Sequence, residues 1–249
     1  MRKISWVSMS VLALATVAMA QQEPSTHAPD PPTHGMVEGI MVPSIPGAAF
    51  SGHATLVTKT VLPNGTTIQR QSTMLLARNS MGQVYRERRR IQPLDQEGEP
   101  LLVARIVFNR QEETQTECVL GMRICTITRK KATAVKPEEP AGTTKDGKYT
   151  LARTTIGTET MEGVEVQHVR EKRTYAIGAF GNDKPVASIV DYWFAPVLQV
   201  NLATLVTNPN GTTMYMRVTE LNLSEPEGSL FEPVAGFRVV DARTPQGAQ

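Results

Sequence analysis

Ala54-Thr55-Leu56-Val57-Thr58-Lys59-Thr60-Val61-Leu62-Pro63-Asn64-Gly65 decides the fold class of this 249-residue chain. Ala54, Leu56 and Thr58 fall on one side of an extended chain, and Thr55, Val57, Lys59 and Val61 on the other. Pro63-Asn64-Gly65 then supplies a turn, because Asn-Gly tolerates the positive φ of tight hairpins. Outward from here the pattern repeats. The chain returns from Thr66 to Ala77, turns at Asn79-Ser80-Met81-Gly82, and continues from Gln83 to Ile91. Leu101 to Phe108, Leu151 to Met161, Val164 to Ala176, Pro185 to Phe194, Val197 to Thr207 and Thr212 to Leu223 also read as strands. Turn signals separate them, at Glu162-Gly163, Gly181-Asn182-Asp183 and Asn208-Pro209-Asn210-Gly211. Pro226 to Phe231 reads as one helical turn, and Phe237 to Val240 as a last short strand. No window holds a helical period over several turns. The expectation is an all-β, mainly antiparallel domain: a single large curved sheet or half-barrel of about ten strands built from hairpins, with little helix. The segments around Pro63-Asn64-Gly65 and Pro209-Asn210-Gly211 echo one another, through shared turn chemistry or an internal duplication that the flanking residues do not match well enough to claim.

The domain expected is residues 50–241, with a long loop at 130–148. Met1-Arg2-Lys3 is a positive n-region, Ile4 to Ala20 an apolar run, and Ala18-Met19-Ala20 a small-x-small cleavage pattern, so residues 1–20 read as a signal peptide. Residues 21–49 hold six of the 17 prolines and read as a disordered linker, and 242–249 as a disordered tail. Gln21 rather than Cys follows the expected cut, which offers no thiol for lipidation. The expected location is therefore periplasmic or secreted, and no integral membrane segment remains after cleavage. An outer-membrane barrel is disfavoured by the 5% aromatic content, too few for interfacial girdles. Removing Arg2 and Lys3 from 26 basic residues leaves 24, against 24 acidic ones. A balance of zero does not fit a nucleic-acid partner, which needs a broad positive field.

The two cysteines enclose Val119-Leu120-Gly121-Met122-Arg123-Ile124. A type II′ turn at Gly121-Met122 places Leu120 opposite Arg123, Val119 opposite Ile124 and Cys118 opposite Cys125, within reach of a cross-strand disulfide. A metal site would need further Cys or His ligands nearby, and there are none.

Signatures for catalysis are absent: there is no His-Glu-x-x-His, Gly-x-Ser-x-Gly or Gly-x-Gly-x-x-Gly. The four histidines are His27, His34, His53 and His168, the first two in the proline-rich stretch. Glu112-Glu113 and Glu138-Glu139 fall in expected loops, where solvated acids are the rule. No catalytic residue, metal site or cofactor is expected. Asn64, Asn210 and Asn222 begin Asn-x-Ser/Thr triplets, but the first two are already required by turns.

Two surfaces remain as candidates. Arg86-Glu87-Arg88-Arg89-Arg90 is the densest charge run. On a strand Arg86, Arg88 and Arg90 point one way, toward an acidic partner or into solvent. Leu198, Val200 and Leu202 with Met214, Met216 and Val218 form an apolar layer, either an ordinary core or the lining of an acyl-chain cavity.

Several segments resemble those of uncharacterised exported bacterial β-sheet proteins: Tyr85-Arg86-Glu87-Arg88-Arg89, Gly181-Asn182-Asp183-Lys184-Pro185, Tyr192-Trp193-Phe194-Ala195-Pro196-Val197-Leu198, and Ser229-Leu230-Phe231-Glu232-Pro233 with Ala235-Gly236-Phe237. The strand order and the closing Leu-Phe-x-Pro…Gly-Phe also look like the lipoprotein carrier and receptor half-barrels of the bacterial envelope, the LolA/LolB type. That resemblance implies a cavity for an apolar ligand. The expected function is that of an exported, non-catalytic envelope protein, acting as an interaction or structural module with an unknown envelope protein. The alternative is a lipid or lipoprotein acyl-chain carrier with a half-barrel cavity.

Overall fold

A computed structural model describes residues 40–131 and 139–243. The expected signal peptide, residues 21–39 of the expected linker and residues 244–249 of the tail lie outside the described residues, as do His27, His34 and Glu138.

Fourteen strands form one sheet: β1 (Phe50–Val61), β2 (Thr67–Arg78), β3 (Val84–Arg89), β4 (Gln92–Pro93), β5 (Leu102–Asn109), β6 (Thr114–Val119), β7 (Ile124–Arg129), β8 (Gly142–Thr143), β9 (Tyr149–Met161), β10 (Val164–Tyr175), β11 (Val186–Ala195), β12 (Val200–Thr207), β13 (Thr213–Asn222) and β14 (Arg238–Asp241). Eleven span six residues or more; β4 and β8 are short additions beyond the alternation pattern, and β14 lies where the short last strand is expected. The sheet is curved and open, and runs β14-β7-β6-β5-β3-β2-β1-β13-β12-β11-β10-β9-β8, with β4 pairing to β2 off this path. All pairings are antiparallel except β14 with β7. No α-helix occurs among the described residues; short 3-10 turns lie at Leu120–Met122 and Gly228–Phe231.

Local turn chemistry explains the hairpins. In the β1–β2 turn Gly65 N–H bonds Leu62 O (2.9 Å), Leu62 N–H bonds Thr66 O (2.8 Å), and Asn64 Oδ1 accepts from Thr66 N–H (3.0 Å). The β12–β13 turn repeats this through Asn208, Asn210, Gly211 and Thr212 at 2.9–3.0 Å. Gly65 and Gly211 take φ of 82° and 81°, while the asparagines act as side-chain acceptors rather than adopting positive φ. In the β2–β3 turn Gly82 (φ 83°) faces the Ile45 carbonyl carbon so closely that a Cβ would approach it to 2.8 Å.

Cys118 and Cys125 are joined and directly paired across β6 and β7. The turn between them differs from the type II′ expectation. Gly121 keeps negative φ, the chain makes a 3-10 turn closed by Arg123 N–H on Leu120 O (3.2 Å), and Arg123 takes φ 51°. The C-terminal segment holds Arg123 in place. Its guanidinium lies 5.4 Å over the Phe237 ring, and its carbonyl accepts from Arg238 N–H (3.0 Å).

The chain is two hairpin arrays joined by one seam. β1 to β7 build outward from β1, β8 to β13 build inward from the other edge, and β13 pairs with β1 from Ser51 opposite Asn222 to Lys59 opposite Thr213. The main core lies around this seam and gathers Phe50, Leu56, Leu76, Val166, Leu202 and Val218. The expected linker extends less far than its composition indicates. Ile40 is buried within this core and Val42 packs against it. A smaller cluster of Ala77, Tyr85 and Val107 is covered by Leu230 and Phe231 of the second 3-10 turn.

Candidate functional site

The residues of the apolar layer lie together in the main core. Leu198, Val200, Leu202, Met216 and Val218 are each at most 4% exposed, and Met214 packs against them part-buried. Simple alternation does not carry along β12. A register shift opposite Trp193 and Phe194 lets adjacent Leu202 and Ala203 both be fully buried. In the described residues this layer is occupied by its own side chains and by those of β1, β2 and β10.

Among the described residues one charged side chain is wholly shielded from solvent. Arg78 ends β2 fully buried, with its guanidinium 5.2 Å over the Phe50 ring. Nε donates to Ala48 O (2.8 Å), Nη1 to Pro43 O (2.9 Å) and Nη2 to Leu198 O (2.7 Å). Burial pulls its pKa down to about 10. The five fixed donors of a guanidinium satisfy several carbonyls at once, which a lysine ammonium cannot match in geometry.

Within β3 Arg88 and the Glu87–Arg89 pair make their contacts on opposite sides, and Arg90 falls beyond the strand's end. Arg88 turns to Glu117 on β6 (2.6 Å). On the other side Glu87, only 7% exposed, accepts from Arg89 Nε (2.8 Å), the Tyr85 hydroxyl (3.3 Å) and Leu75 N–H (3.2 Å). Burial, with the Glu87 charge beside it, raises the Tyr85 phenol above its ordinary range. Arg89 also reaches Glu99 (2.7 Å). Burial disfavours its charge, but the bonds to Glu87 and Glu99 outweigh that and raise its pKa. Among the described residues Arg86 and Arg90 have no carboxylate partner. Arg86 lies part-buried in β3, and Arg90 is exposed just beyond its end.

A further polar cluster spans β9, β10 and β11. Asp191, 3% exposed, accepts from Arg170 through both oxygens (2.8 and 3.1 Å) and meets His168 Nε2 at 3.0 Å. Burial opposes its ionisation, and the Arg170 and His168 bonds override that to hold the carboxyl below its ordinary range. The Trp193 ring stacks on His168 with centroids 4.3 Å apart, and its Nε1 donates to Glu159 Oε1 (2.6 Å). The pair resembles two members of a hydrolytic triad, but His168 Nδ1 faces Glu159 at 3.9 Å rather than a hydroxyl or thiol. Arg170, Asp191, Trp193 and Glu159 are scattered in sequence, so only the β9–β10 and β10–β11 registers reveal the cluster. Its local signal is the alternation of His168 with Arg170 and of Asp191 with Trp193. Among the described residues no group of three or more His, Cys, Asp or Glu is placed to hold a metal ion.

No protein-family profile and no curated protein matches the chain. Solved structures do. MucB is similar over 79% of this chain at 15% identity and a TM-score of 0.39, and this chain spans 61% of the MucB chain. A LolA-superfamily protein from Nitrosomonas europaea is similar over 77% of this chain and 92% of its own, at 10% identity and a TM-score of 0.30. A β-barrel-like protein from Brucella abortus, from a domain family of unknown function, matches over 73% and 100%, at 6% identity and a TM-score of 0.35. The second of these carries the superfamily name of the half-barrel type that the sequence resembles.

Proposed function

We propose that this chain is an exported, non-catalytic envelope protein that works as an interaction module, through sheet surfaces rather than through an internal cavity. The observation that carries this reading is the occupied apolar layer. Leu198, Val200, Leu202, Met216 and Val218 are covered by their own neighbours, so an acyl chain would have to displace packed side chains. Export is supported by the Met1–Ala20 pattern and by the Cys118–Cys125 bond, which suits an oxidising compartment. Arg86 and Arg90, which have no carboxylate partner among the described residues, offer a surface to an acidic protein partner.

The test is affinity capture from an envelope extract, with organic extraction of the same purified protein for lipid. Wild-type protein should retain a partner that an Arg86→Glu/Arg90→Glu variant loses, and the extract should hold no stoichiometric lipid. A stoichiometric acyl-chain lipid would overturn the reading in favour of the carrier.

A further inference from the structure

Phe180 and Ile177 are 69% and 66% exposed, both in the loop between β10 and β11. We propose that this loop is a docking tip for the surface of an anionic phospholipid bilayer. The surface is separate from the arginine face, since β1, β2, β11, β12 and β13 lie between β3 and β10 in the sheet order. The inference therefore goes beyond the interaction module and does not rest on it.

Side-chain and backbone hydrogen bonds shape the loop. Asn182 Nδ2 donates to the carbonyls of Ala176 (2.9 Å) and Lys184 (2.6 Å), and its Oδ1 accepts from Phe180 N–H (3.0 Å). Gly178 N–H adds a bond to Asn182 O (2.8 Å). Two large apolar side chains are thus presented by a built turn. Leaving them in water forfeits the free energy that burial would release.

Behind the tip the rings form a continuous column. Phe180 packs on Tyr175 with centroids 4.6 Å apart, and Tyr175 on Tyr149 at 5.5 Å. The β8–β9 turn belongs to the same end of the sheet, because Ala176 N–H bonds Lys148 O (2.9 Å). An arginine–carboxylate network stiffens the hairpin below: Glu171, only 7% exposed, holds Arg153 (2.6 Å) and Arg173 (3.1 Å).

Charge selects the occupant. Lys184 in this loop and Lys145 and Lys148 in the adjoining β8–β9 turn are exposed, against Asp183 and Asp146 in the same two segments and Glu139, which bonds the Tyr149 hydroxyl. Asp146 and Lys148 pair with each other (3.2 Å), which leaves Lys145 and Lys184 as the lysines of these two segments free to meet an anionic surface. An apolar point with amphipathic rings behind it and lysines around it matches the layering of a bilayer interface: hydrocarbon, headgroup, anionic surface. A groove-bound peptide would need a concavity, whereas this surface is a loop end. Two apolar side chains and a few cations give reversible attachment, with both terms needed.

The test is co-sedimentation of the full chain with mixed phosphatidylglycerol–phosphatidylcholine vesicles and with pure phosphatidylcholine vesicles. Wild-type protein should favour the mixed vesicles. Ile177→Ser/Phe180→Ser should lower that partitioning about tenfold. Lys145→Gln/Lys184→Gln should flatten the preference for anionic lipid. Any contribution of the Met1–Ala20 segment is common to all variants, so the differences report on the tip, and unchanged circular dichroism verifies folding. Equal partitioning of the tip variant, or no vesicle binding by wild type, overturns the proposal. Capture of an envelope protein that depends on Phe180, with vesicles ignored, assigns the tip to a protein partner instead.

Discussion

The guanidinium of Arg78 donates to the backbone carbonyl of Leu198 at 2.7 Å, across 120 residues of chain. The same side chain holds Pro43 and Ala48, so one buried cation pins the segment before β1 and the β11–β12 turn to the end of β2. Arg78→Met removes all three donors: the Pro43 carbonyl keeps Ile45 N–H (3.1 Å), while those of Ala48 and Leu198 lose their side-chain partner. The loss should be on the order of 3 kcal/mol or more, read from urea denaturation. Arg78→Lys should recover only part of it, because an ammonium cannot reproduce the fork. A midpoint unchanged from wild type in both variants would show that the carbonyls find other donors.

Gly82→Ala should destabilise the domain by roughly 1–3 kcal/mol, since Gly82 has φ 83° and a Cβ would meet the Ile45 carbonyl carbon at 2.8 Å. Gly121→Ala is the matched control. Its φ is ordinary and open space surrounds it, so the change should stay within about 0.5 kcal/mol. Thermal unfolding of the two variants side by side checks the contrast.

Asp191 predicts a pH response with a definite sign. Its carboxyl titrates below the ordinary 3.8 in the folded protein, held there by Arg170 and His168 against the effect of burial. The folded state therefore binds that proton less readily than the unfolded chain. The stability it contributes is fully present above pH 3.8 and is lost as pH falls through the lower folded value. Asp191→Asn should be less stable at neutral pH, by about 1–3 kcal/mol. It should also show a shallower loss below pH 3.8 than wild type. Parallel acid-denaturation curves for the two proteins would exclude this role.

Cys118 and Cys125 close a short loop, with seven residues of sequence separation. In the chain-entropy description such a link stabilises by about 2–3 kcal/mol. The Cys118→Ser/Cys125→Ser variant should unfold earlier by that amount. Wild type with added reductant should move toward it, and thiol titration of unreduced, denatured protein should find no free thiol.

Features written in neighbouring residues were legible in the sequence. The Asn64-Gly65 and Asn210-Gly211 turns, the Cys118–Cys125 pairing and the strand alternation depend on contacts a few residues apart. Features that depend on distant partners were not. The β1–β13 seam joins Ala54 to Val218 without any local signal. The six-residue apolar layer was visible as an apolar set, but its closure needed the Leu202–Ala203 irregularity, and simple period-two counting passes over it. Arg78 reads as the last residue of an amphipathic strand, and only the fold reveals three carbonyls converging on it. Ile40 and Val42 lie among prolines and glycines, a composition that masks an anchoring segment.

The seam between β1 and β13 carries a consequence for biogenesis. The first long strand to emerge gains its second neighbour only when Thr213 to Asn222 have been made. Until then the growing polypeptide carries a bare ladder beside half-assembled greasy residues, the condition in which chains associate wrongly. Maturation should therefore be slow and all-or-none, completed after synthesis rather than during it. A chain halted after Thr207 should collect in insoluble material, whereas one lacking only residues 244–249 should mature normally.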